Sequence, residues 1–97
     1  MANQQQLDLL KQEVTTAWNT WREEHPDTPI TLNGVDLSEA NLGEVNLSQA
    51  DLSGADLTRA NLQGADIREA LLVEAIWEGA LITPEQMSQA QMGPDSL

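Results

Sequence analysis

The chain has 97 residues, room for one small domain, and 16 acidic against 4 basic residues give it a net charge of −12. That charge repels phosphate backbones and anionic lipids, which argues against direct nucleic-acid binding and against a membrane surface. Cysteine is absent, excluding disulfides and thiolate chemistry, and no apolar run approaches the roughly 20 residues that span a bilayer, so the expectation is a soluble cytoplasmic protein.

Between Gln5 and Glu24 the apolar residues Leu7, Leu10, Val14, Ala17, Trp18 and Trp21 recur mostly at spacings of three and four. This predicts one amphipathic α-helix over 5–24, roughly 30 Å long at 1.5 Å per residue. His25-Pro26 ends it, because the residue before a proline is pushed out of the α region. Trp18 and Trp21 either pack the stripe onto an adjoining core or offer it to a partner. His25, the only histidine, lies in a turn and is read as structural.

From Ile30 to about Pro84 a five-residue rhythm takes over. The large central residues are Leu32, Leu37, Leu42, Leu47, Leu52, Leu57, Leu62, Ile67, Leu72, Trp77 and Ile82. Two places before each stands a small or β-branched residue, Ala at every step from Ala50 to Ala80, and between the two sit Asp36, Asn41, Asn46, Asp51, Asp56, Asn61 and Asp66. A period of five fits neither a helix at 3.6 nor a strand at 2, so the chain must turn once per unit. If each unit forms one side of a coil, every central residue and every preceding small residue points inward.

These residues resemble the pentapeptide repeat proteins, whose motif is Ala-Asp/Asn-Leu-x-x. The resemblance implies an all-β solenoid, a right-handed quadrilateral β-helix of just under three coils, to which the sequence adds the N-terminal amphipathic α-helix and a short C-terminal α-helix. Length and period together give a single domain over 1–97, with the repeats at 30–84. The segment Ala17 to Pro26 is similar to the helical leader of short members, and the family's abundance there suggests a cyanobacterial source.

The last units depart from the motif. Leu71, Ile76 and Leu81 stand where Asp or Asn is expected, and Val73 takes a normally polar outward place, which leaves the final turn an apolar exterior. Thr83-Pro84-Glu85-Gln86 carries the signature of a helix start, so a short helix over 85–91 is expected to offer Met87, Ala90 and Met92 to that patch, ahead of a loose tail at 92–97. Trp18, Trp21, Leu71, Val73, Ile76 and Leu81 are therefore the candidate interface or capping surface.

No catalytic, cofactor or metal site is expected. The chain has one His, no Cys and no Tyr, and its Ser and Thr residues have no base near them in sequence. The favoured reading is a non-catalytic structural or protein-interaction module with an unidentified protein partner, as a monomer or a weak homodimer. The alternative, drawn from the resemblance, is an acidic mimic of duplex DNA that occupies a type II topoisomerase. Just under three coils at about 4.8 Å each fall well short of one DNA turn at roughly 34 Å.

Overall fold

A backbone that must turn every five residues has little length in which to stay extended. In the computed structural model of the chain, which describes residues 2–91, each repeat supplies one bridged residue followed by a two-residue turn. The bridges are parallel and join residues twenty apart, Thr31 to Asp51, Asp36 to Asp56, Asn41 to Asn61 and Asn46 to Asp66, and the register continues to the Leu71–Gln91 bridge. Four turns separate each residue from its partner, so the chain winds as stacked four-sided circuits: coil 1 (31–50), coil 2 (51–70) and coil 3 (71–90), with Gln91 opening the layer beneath Leu71.

The expected all-β solenoid, a right-handed quadrilateral β-helix, is corrected by this arrangement. Among the described residues no β-strand and no sheet forms, and the regular elements are three short α-helices. The cause is the corner. Three places after a bridged residue the backbone enters the left-handed region, with φ of 62° at Glu39, 62° at Gln49 and 59° at Arg59, and the chain turns before consecutive residues can pair.

What replaces the sheet is a regular ladder. The inward Leu N–H donates to the carbonyl of the residue nineteen places on, as in Leu32 to Asp51 at 2.9 Å and Leu57 to Ile76 at 2.6 Å. The bridged N–H donates in the opposite direction, as in Asp56 to Val35 at 2.9 Å. Asp and Asn at the bridged position close each turn locally: Asp51 Oδ1 accepts from Ser53 N at 3.0 Å, and Asn61 Oδ1 from Gln63 N at 3.0 Å. At the corners where Gly64 and Gly79 lie beneath side chains, a larger residue would be crowded as well as left-handed. Both have φ of 73°, and a Cβ would meet Glu44 Cγ at 3.0 Å or Arg59 Cγ at 3.1 Å.

Inside the stack Leu32, Leu37, Leu42, Leu47 and Leu52 have no exposed surface, and Ala50, Ala55, Ala60 and Ala70 are equally enclosed. The period of five, applied with a twenty-residue register, puts like over like, Leu32 over Leu52 over Leu72. Burying each such side chain contributes about 1.5–3 kcal/mol.

The single helix expected over 5–24 is two: α1 (Gln4–Lys11) and α2 (Thr15–Glu24). Glu13 breaks it at φ 61°, and Val14, which a continuous stripe would bury, is 50% exposed. A straight helix of about 30 Å would overrun the shorter 24 and 23 Å dimensions of the molecule; folded at Glu13, the segment buries both Leu10 and Trp18 against coil 1. The last helix, α3, spans Pro84–Gln89, and Gln91 has left it to bridge Leu71. The tail at 92–97, with Met92, lies outside the described residues.

Leu52→Ala, in the middle of an enclosed column, is expected to destabilise the domain by about 2–5 kcal/mol. Asp56→Asn keeps the Oδ1 acceptor for Thr58 N–H and should stay within about 0.5 kcal/mol of the parent. Denaturant unfolding of the two variants beside the parent measures both.

Candidate functional site

A stack of coils has two ends, and at each the ladder runs out of partners. At the N-terminal end α2 supplies them. The side chains of Thr15, Trp18, Asn19 and Arg22 fall at i, i+3, i+4 and i+7, hence on one helix face. Thr15 Oγ1 donates to Gly43 O at 2.9 Å, Trp18 Nε1 to Asn46 O at 2.8 Å, and Arg22 to Asn46 O and Ser48 O at 2.8 and 3.0 Å. Asn19 does both jobs, donating to Glu44 O at 3.1 Å and accepting from Asn46 N at 2.8 Å.

Gln6 on α1 repeats the device. Its amide donates to Pro29 O at 2.8 Å and accepts from Thr31 N at 2.8 Å, and at 1% exposure it is fully enclosed. Reading for apolar periodicity alone passes over Gln6, Thr15, Asn19 and Arg22. The signal that finds the last three is a polar i, i+4, i+7 series alongside Trp18, on a helix that must face unpaired backbone.

The six candidate residues therefore divide. Trp18 is 1% exposed and held by Asn46 O. Trp21 is half-buried, stacked on Trp18 with ring centroids 5.6 Å apart and on His25 at 4.7 Å, while His25 Nδ1 lies 2.9 Å from Trp21 O. Leu71, Val73, Ile76 and Leu81 lie on three successive sides of coil 3, far along the stack from the tryptophans. Leu71 and Val73 are half-buried, whereas Ile76 and Leu81 stay 52% and 51% exposed.

Helix α3 stands where coil 3 would otherwise build its fourth side, so it does not lie over Ile76 or Leu81. Thr83 and Gln86 form a capping box, with Gln86 N to Thr83 Oγ1 at 3.0 Å and Thr83 N to Gln86 Oε1 at 2.9 Å. The Gln86 amide also donates to Leu62 O and Ala65 O at 2.8 and 2.9 Å, tying the helix to coil 2. Met87 and Ala90 pack against the core rather than the outer patch.

Charge on the flanks is locally settled. Arg59 lies 3.6 Å from Glu39, one coil above it, with both side chains exposed. Arg68 meets Asp66 at 2.7 Å, and its hydrogen bond is the main reason the Asp66 carboxyl lies below the usual carboxylate range. Burial pushes the Arg22 guanidinium down, with Asp66 opposing the shift. A cleft of about 550 Å³ is lined by Ser48, Gln49, Arg68, Glu69 and Gln89, and one of about 370 Å³ by Arg22, Pro26 to Ile30 and Gln49. No histidine lines either cleft. Among the described residues no cluster of three or more His, Cys, Asp or Glu could hold a metal ion, and no helix is long and apolar enough to cross a membrane.

Circuits of twenty residues that repeat one pentapeptide on each side define a tandem-repeat protein. Residues 36–72 match the model of the family described as Pentapeptide repeats, in 8 copies, and this stretch is a pentapeptide-repeat array. Comparison with curated proteins and with solved structures finds no match.

Trp18→Phe keeps a buried ring but removes one of the two donors to Asn46 O, and the lost hydrogen bond is expected to cost about 0.5–1.5 kcal/mol in a denaturant melt. The depressed Asp66 pKa contributes stability that is present above the unfolded carboxylate value, about 4, and is lost as pH falls through the folded value. Between about pH 5 and about pH 2 the parent should therefore lose more stability than Asp66→Asn; equal losses would mean the ion pair with Arg68 is inert.

Proposed function

We propose that the chain is a non-catalytic structural module that binds another protein through coil 3. The observation that carries this reading is the exposure of Ile76 and Leu81, 52% and 51%, at bridged positions where coil 2 holds Asp56 and Asn61. Large apolar side chains in place of turn-closing Asp and Asn give up the local acceptor, and an exposed apolar patch on a rigid support is the usual mark of a partner surface. Pentapeptide repeats are generally of the non-catalytic, interaction type, which agrees with it. The partner is a protein rather than nucleic acid, since a net charge of −12 repels phosphate.

The same charge is compatible with imitation of duplex DNA, but coverage of coil 1 by α1 and α2 works against lengthening the stack from that end.

The test is capture from a native lysate of the source organism on the immobilised full chain, compared with the double variant Ile76→Asn, Leu81→Asn. Asparagine is what the motif places there, so folding should hold and net charge is unchanged. A specific protein retained by the parent and lost with the variant, at an unchanged melting temperature, is the expected result. Equal retention would remove coil 3 from the reading.

A further inference from the structure

The third coil differs from those above it in charge as well as in hydrophobicity. From Glu69 to Gln91 the chain has Glu69, Glu74, Glu78 and Glu85 and neither lysine nor arginine. Three of its four cations are engaged elsewhere: Arg22 with the carbonyls of Asn46 and Ser48, Arg59 with Glu39 and Arg68 with Asp66; Lys11 is on α1. The rim around Ile76 and Leu81 is thus apolar and predominantly acidic, with Glu74, Glu78 and Glu85 all exposed, while Arg59, which stacks on Gly79 from coil 2, lies 3.6 Å from Glu39.

The backbone there is also incomplete. In coil 2, Leu57 N, Arg59 N and Leu62 N donate to the carbonyls of Ile76, Glu78 and Leu81, while the carbonyls of Ala55 and Ala60 accept from Ile76 N and Leu81 N. Among the described residues the equivalent groups of coil 3, the N–H of Trp77, Gly79 and Ile82 and the carbonyls of Ala75 and Ala80, have no such partner. Trp77 and Ile82, at the foot of the inward columns, are only half-buried.

We propose, on the basis of the interaction-module reading, that this rim takes up a segment of a partner protein that carries apolar and lysine or arginine side chains and bends at the Gly79 corner as the coil above it does. Its backbone pairs with those N–H and carbonyl groups at the foot of coil 3 that have no partner among the described residues, adding one more layer to the ladder of single bridges. Its apolar side chains cover Ile76, Leu81 and Trp77, and its cations face Glu74, Glu78 and Glu85. A second copy of this chain is the poorer occupant, because it would bring the same carboxylates against themselves.

The probes are two labelled synthetic decapeptides, one composed of lysine and leucine, the other of glutamate and leucine, titrated with the full chain by fluorescence anisotropy. The lysine peptide should bind and the glutamate peptide should not. Affinity should fall about tenfold or more in Ile76→Asn with Leu81→Asn, and likewise in the triple variant Glu74→Gln, Glu78→Gln, Glu85→Gln, and should weaken with added salt. Removing three charges at the other end, by Glu23→Gln, Glu24→Gln and Asp27→Asn, should leave it nearly unchanged.

A control variant that weakens binding as much as the rim variant would reduce the effect to diffuse attraction and overturn the proposal. So would absence of binding by the lysine peptide, or a parent that sediments as a dimer and becomes monomeric in the Ile76→Asn, Leu81→Asn variant. Lysate capture that depends on Ile76 and Leu81 while the peptides fail would leave the interaction module standing and remove only this partner chemistry.

Discussion

Everything in the molecule depends on one backbone constraint, the hydrogen bond that ties each layer to the next at a spacing of twenty residues. It is made by isolated pairs rather than by strands, so no single side of a coil is stable by itself. The inward Leu and Ala columns supply the apolar burial that holds the pairs in register, and the register is what superimposes those columns. Neither persists without the other, a nearest-neighbour coupling characteristic of repeat architectures.

Such a ladder cannot end freely, because the outermost layer exposes donors and acceptors beside buried leucines. At coil 1 the solution is chemical as well as steric. Gln6, Asn19, Trp18, Thr15 and Arg22 stand in for a missing layer by meeting its backbone groups. The cost of a buried unpaired polar group, about 1–3 kcal/mol, explains why a helix packed over leucines carries so many polar residues on the same face.

At coil 3 the treatment is different. Helix α3 closes one side and leaves the apolar residues of two others exposed, Ile76 and Leu81. The loss of Asp and Asn at those positions removes the acceptor that closes each turn above, so local stability has been exchanged for surface character. Together with the carboxylates that accompany them, this is where the repeat stops being uniform and where recognition is best supported.

The repeat itself was legible: a period of five could only mean a turn per unit, and Asp or Asn two residues before each turn donor has a local reason that any reader of the chain could supply. So was the departure at Leu71, Ile76 and Leu81, because it breaks a pattern. The pairing mode was not legible, since whether a five-residue unit forms a strand or a single bridge depends on the left-handed corner that residues such as Glu39 and Arg59 adopt. Nor was the break at Glu13, because helical periodicity does not know the width of the surface it must cover. Sequence alone determined which side chains face inward and where the repeat loses its polar exterior; only the tertiary structure decided that Trp18 is enclosed while Ile76 is not. The reason is physical: inward or outward is a matter of local period, whereas exposure depends on which segment returns to lie over that face.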